Sequence, residues 1–147
     1  MLTELSREQL HALVPHAGAM CLINRVTEVD VSSIAAVSDP IDVTSNPLSD
    51  LGKLNPFVIV EYAAQVAALH ITQRENSGLA PGANVFLAAV KNLSGGDATL
   101  QSGDELVIDA RCLSISTAGA MYEFNARVAR RQDGATISGR FSLMVGA

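Results

Sequence analysis

Apolar residues occupy alternate positions through Tyr122, Phe124, Ala126 and Val128, while Glu123, Asn125, Arg127 and Arg131 face the other way. In the same fashion Ile137, Gly139, Phe141, Leu143 and Val145 alternate with Ser138, Arg140 and Ser142. Side chains of an extended chain point to opposite faces in turn, so both segments read as half-exposed strands. Gln132-Asp133-Gly134 between them predicts a hairpin turn. Strands are also expected near Val85–Leu93 and Glu105–Ser116, and Met20–Ser38 reads as two more about a turn at Asp30–Ser33.

A different pattern fills Phe57 to Ile71, FVIVEYAAQVAALHI, which is apolar almost all the way round. Asn55 suits the cap of a helix there and Pro56 its first position. That helix is expected to run to about Glu75, where Asn76, Ser77 and Gly78 end it. Residues 3–13 read as a short opening helix with Thr3 or Ser6 as cap and Pro15 as its stop. Asp39–Asn55 is rich in turn formers and reads as a surface loop, and LAPGAN as a second one. A sheet with one wet side needs its dry side covered, and a helix apolar on every face needs to be surrounded. The economical answer is an α+β domain in which the sheet wraps the helix, with the helix's outer side against a second subunit.

Composition narrows the class. The 147 residues are 48% hydrophobic and 17% charged, which predicts one well-packed domain over residues 1–147. The apolar stretch is too short, and polar at three points, to span a bilayer. The start, MLTELSREQL, lacks the basic region and apolar core of a signal peptide, and Cys21 and Cys112 have no ligand spacing. Both cysteines are expected reduced and buried, in a cytoplasmic protein without a metal site. A net charge of −5 argues against nucleic acid. Arg127, Arg130 and Arg131 form the one basic cluster, either solvated strand ends or a contact for an acidic protein. GxSxG, P-loop and GxGxxG motifs are missing, so covalent catalysis is not supported.

The polar residues of the central helix carry the chemistry. At 100° per residue Glu61 and Gln65 lie about 40° apart on one face, whereas His70 is about 180° from Glu61 and cannot pair with it. Glu61 reads either as a structural carboxylate bonded to loop backbone or as a general acid or base. Gln65 is placed to hold it or to contact the same ligand. His70 reads first as a satisfied core or interface histidine. His16, in the tight LVPHAGAM turn, reads as bonded to loop carbonyls or held for use, and His11 as a surface residue.

Several stretches resemble one family. LVPHAGAMCLINRV is similar to the opening LPHRxPxLLxDRV of the β-hydroxyacyl-[acyl carrier protein] dehydratases, and VEYAAQVAA to their helix motif VEAxAQ. VFLAAVKNL with SGDELVIDARCL resembles their FLAxVxxxxF…PGDxLxxxxxL, so the likeness spans nearly the whole chain. Through PHxGxM, NPL and EYAAQxxAxH the chain most resembles the divergent branch associated with aryl-polyene and polyketide-like biosynthesis. The resemblance implies the hotdog fold, six antiparallel strands around a central helix, working as a dimer whose two protomers build each active site. It implies removal of water from a 3-hydroxyacyl thioester carried on the phosphopantetheine arm of an acidic acyl carrier protein; a coenzyme A thioester is the alternative donor, and no resident cofactor is expected. Glu61 matches the family's catalytic carboxylate and Gln65 its glutamine one turn later.

Two positions depart from the family. The catalytic histidine stands fourteen residues before the glutamate, and here that place is Pro47 in a loop without histidine. The glycine N–H five residues before it, which binds the thioester carbonyl, is Pro56 here and has no N–H to give. Phe57 or Val58 at the helix N-terminus is the expected replacement donor. His16 is the candidate base beside Glu61, and Asn46 the candidate helper if Glu61 works without it. Dehydration is the expected activity. The alternatives are hydrolysis by a hotdog thioesterase, or a non-catalytic subunit beside an active dehydratase, as a homodimer, heterodimer or larger assembly.

Overall fold

The structure, a computed structural model, describes residues 2–13, 22–51, 53–73, 85–130 and 136–145. Of the two candidate caps for the opening helix, Ser6 is the one used. Its hydroxyl accepts from the Gln9 N–H at 3.2 Å, and the Gln9 side chain accepts from the Ser6 N–H at 2.9 Å. This reciprocal box satisfies two orphan donors and opens helix α1, Arg7–His11, after a 3-10 turn over Leu2–Glu4. Leu2 and Leu10 are buried and seat the segment on the core. His11 departs from its expected place: it is half-buried, and its Nε2 donates to the Ile23 carbonyl at 3.0 Å.

Six strands form one antiparallel sheet. They are β1 (Ile23–Val29), β2 (Ser33–Ser38), β3 (Val85–Ser94), β4 (Leu106–Ser116), β5 (Gly119–Val128) and β6 (Thr136–Val145), in the order β1-β2-β4-β5-β6-β3. The Asp30 N–H donates to the Ser33 carbonyl at 2.8 Å and closes the first hairpin where the turn was expected. The period-two reading of β5 and β6 holds: Tyr122, Phe124, Ala126, Val128, Ile137, Phe141 and Leu143 are all buried. Their register sets Tyr122 opposite Phe141 and Phe124 opposite Gly139. A Cβ on Gly139 would stand 2.8 Å from Leu93 Cδ2, so the glycine leaves the space that the Leu93 and Phe124 side chains fill. The expected Gln132–Gly134 turn lies outside the described residues.

Asn55 caps and Pro56 begins a 3-10 turn, Pro56–Val58, that leads into helix α2, Ile59–Thr72. The helix crosses the inner face of the sheet and touches all six strands. Within it only Glu61 and Thr72 are not buried. Each fully buried aliphatic side chain such as Leu69 contributes about 1.5–3 kcal/mol, so the helix is held by packing, not by propensity. Its expected extension to Glu75 falls outside the described residues after the Gln73 C-cap.

Within this one chain α2 is already buried along nearly all of its length, apart from Glu61 and Thr72. The 39–55 loop, expected at the surface, sends part of its length into the core. Ile41 and Leu54 are buried there, with Val43 and Leu48 packed partly against them. Open apolar surface lies elsewhere. Edge strand β3 pairs only with β6 among the described strands and exposes Phe86 and Val90. Cys112 is half-buried with its thiol 3.5 Å from the Ser114 carbonyl, while Cys21 lies outside the described residues. Among the described residues no helix is long and apolar enough to cross a membrane, and no group of three His, Cys, Asp or Glu is placed to hold a metal.

Candidate active site

The N-terminus of α2 is built by its cap. Asn55 Oδ1 accepts from the Phe57 N–H at 2.9 Å, and the Asn55 carbonyl accepts from the Val58 N–H at 3.0 Å. Both N–H groups expected to bind a thioester carbonyl are engaged by this cap. The reason is chemical: a good N-cap satisfies the very donors that an oxyanion would need. The Phe57 ring instead packs over Gly96, where a Cβ would come within 2.6 Å of its Cζ.

Glu61 stands in the first turn, half-buried, and makes no hydrogen bond or ion pair with the described residues. Among the described residues, no backbone donor of the kind a structural role would require reaches it. A carboxylate in that turn sits favourably in the field of the helix dipole. Gln65, one turn on and only 4% exposed, holds the chain: its Oε1 accepts from the Leu22 N–H at 2.9 Å. It thus anchors the residue that leads into β1, directly after the segment holding His16. His16 itself lies outside the described residues.

His70 is a core histidine with both ring nitrogens engaged. A carbonyl oxygen can only accept, so Nε2 donates to the Asp30 carbonyl at 2.8 Å. In the neutral ring that leaves Nδ1 as acceptor, and the Tyr122 hydroxyl donates to it at 2.6 Å. The histidine thus ties α2 to the β1–β2 hairpin and to β5 together.

Asn46 is held from several sides. Its Oδ1 accepts from the Leu48 N–H at 2.8 Å, which fixes the amide orientation, because a backbone N–H can only donate. Nδ2 then faces the Tyr62 hydroxyl at 2.8 Å and donates to it. Tyr62 was not singled out by the sequence, although a phenol in so apolar a helix needs a polar partner and that requirement was a usable signal. Burial pushes its pKa above the ordinary value of 10.0; the Asn46 bond opposes this and the Asp39 charge adds to it, so the group stays a phenol.

Asp39 closes the cluster on the loop side. Burial works to raise its pKa, but hydrogen bonds from Arg7 and Asn24 and the Arg7 charge hold it below its usual range. Asp42 is held at about 2 by the Thr44 and Ser45 donors that cap the loop. Two grooves of about 460 and 600 Å³ open over the sheet, one across Arg111, Glu123 and Arg140 and the other beside Glu28 and Asp30. Neither is lined by Glu61. The candidate chemistry lies at the helix end, away from both grooves. Arg127 and Arg130 are exposed, and Arg131 lies outside the described residues.

Comparison with known proteins gives this site its context. The profile of the family described as ApeP-like, ApeP dehydratase, matches residues 8–145. No curated protein matches the sequence. Among solved structures, the chain resembles the dehydratase heterocomplex ApeI:P from Xenorhabdus doucetiae, with TM-score 0.76 and 17% identity over 97% of this chain and 92% of that one. It also resembles a mutant thioesterase from Pseudomonas aeruginosa, with TM-score 0.62 and 20% identity over 99% and 98%. A hypothetical thioesterase from Streptococcus pneumoniae, solved with coenzyme A, gives 0.55 and 11% over 84% and 85%. The architecture they share is the hotdog fold.

Proposed function

Since the chain belongs to the ApeP-like dehydratase family, we propose that it removes water from a 3-hydroxyacyl thioester with Glu61 as its acid/base residue. One observation carries the assignment. Glu61 is a half-buried carboxylate on a largely buried helix, and among the described residues none bonds it, which supports a role toward substrate. A purely structural carboxylate in that setting would be satisfied by protein donors.

The reaction breaks the C2–H and C3–O bonds and forms a C2=C3 double bond. A base takes the proton from C2, and the electron pair of that bond becomes the new π bond. Protonated Glu61 gives its proton to the departing C3 hydroxyl, which leaves as water. His16 is the candidate base within this chain, and it must come within about 3 Å of the C2 proton. Solvent exchange returns the two groups to their starting states.

The substrate reading is a thioester on a phosphopantetheine arm, carried by acyl carrier protein or coenzyme A. The coenzyme A in the pneumococcal relative supports a thioester-type ligand on this fold. A second hotdog chain is the proposed partner, supported by the likeness to a dehydratase heterocomplex and by the unpaired, apolar edge of β3. The test is mass spectrometry of a 3-hydroxyacyl carrier protein incubated with wild type and with Glu61→Gln. Loss of one water by wild type alone supports the assignment. Release of free acid assigns hydrolysis instead.

A further inference from the structure

The geometry points to Tyr62 as a positioning residue for this dehydration, holding the 42–50 loop against the first turns of α2 through Asn46. The inference rests on the reading of Glu61 given above and adds a residue to it. Tyr62 follows Glu61 directly, so their Cα atoms stand about 3.8 Å apart and whatever Tyr62 holds is held to the same turn.

Asn46 is the knot of the loop. Its N–H donates to the Asp42 carbonyl at 2.9 Å and its carbonyl accepts from the Ser49 N–H at 2.9 Å. Its Oδ1 accepts from Leu48, and its Nδ2 reaches across to Tyr62. The base of the loop is tied to the sheet side separately, by Ile41 to Asp104 at 2.8 Å and Val43 to Ser102 at 3.0 Å. The Tyr62 hydroxyl therefore fastens the middle of the loop to the helix while Asp42, Ile41 and Val43 fasten its start. Tyr62 is 1% exposed, so its ring is fixed by packing and the hydroxyl is presented at a set place. Having accepted from Asn46, the hydroxyl still holds a proton to donate.

The experiment compares wild type, Tyr62→Phe, Asn46→Ala and the double variant, each in the assembly in which it purifies. It reads kcat and KM for dehydration of a 3-hydroxyacyl carrier protein, and amide exchange through residues 42–50. Phenylalanine keeps the ring and its burial; should that variant fail to fold, Asn46→Ala alone gives the same readings. Each single variant is expected to lose about tenfold in kcat with KM within about twofold. The double variant should be no slower than either single one. Exchange at the Leu48 and Ser49 amides should quicken while α2 stays protected.

A Tyr62→Phe enzyme with wild-type kcat overturns the inference and leaves the Glu61 reading standing. So does a double variant whose loss equals the product of the two single losses. A wild type that releases no water overturns the reading of Glu61 and this role with it.

Discussion

The Tyr122 hydroxyl donates to His70 Nδ1 at 2.6 Å, which joins the middle of the sheet to the last turn of the central helix. The two rings meet edge-on, with centroids 5.7 Å apart, and both residues are fully buried. Tyr122→Phe keeps the stacking on Phe141 but strips His70 of a partner. Leaving a buried ring nitrogen unsatisfied costs about 1–3 kcal/mol. Urea unfolding should show that loss with dehydration otherwise unchanged, because this pair lies at the far end of α2 from Glu61.

Gln65 makes a second stability claim, one that separates anchoring from ligand contact. Its side chain satisfies the Leu22 N–H inside the core. Gln65→Leu preserves volume yet orphans that donor, for a predicted cost of about 1–3 kcal/mol. Amide exchange at Leu22 should quicken in step. A variant with wild-type stability and a raised KM would place Gln65 on the substrate instead.

Acid provides an independent probe of the Arg7–Asp39 contact. The folded Asp39 carboxyl titrates below its ordinary 3.8, so the unfolded chain binds more protons as pH drops. The stability this contributes is present above 3.8 and is lost as pH falls through the lower folded value. Arg7→Ala should lower the urea midpoint at roughly pH 7 and less so as pH falls below 3.8, narrowing the gap between variant and wild type. A gap that does not narrow would assign the effect of Arg7 to packing.

Much of this was legible in the sequence, for reasons that differ by element. The strands β5 and β6 were plain because one wet face imposes period two on residues such as Phe124 and Asn125. Asn55-Pro56 announced the start of α2 because cap chemistry is local. Ser6 and Thr3 could not be told apart, since only the reach of Gln9 back to Ser6 decides between them. The family was legible because its motifs keep their order across nearly the whole chain.

The site was legible only in part. Glu61 stood out as a charge in an apolar run. The Asn46–Tyr62 bond joins residues sixteen positions apart through a loop whose path no periodicity encodes. That the Asn55 cap engages the Phe57 and Val58 N–H groups was hidden for a related reason: a cap read from sequence shows which residue caps, and the donors it occupies become clear once the bonds are drawn. The core role of the 39–55 loop was missed because a segment rich in turn formers also supplies Ile41 and Leu54 to the core.

The central claim is that Glu61 is present for chemistry and not for folding. Since no described residue bonds its carboxylate, Glu61→Gln should leave unfolding free energy within about 0.5 kcal/mol of wild type. The rate should fall by about 10²–10⁴-fold, the range for losing a general acid or base. The most direct measurement is mass spectrometry of a 3-hydroxyacyl carrier protein after incubation with each protein in its native assembly, beside a urea melt of both. Loss of one water with wild type and none with an equally stable Glu61→Gln is the predicted result. Full water loss by Glu61→Gln, or a variant that is inactive only because it has unfolded, would contradict the account.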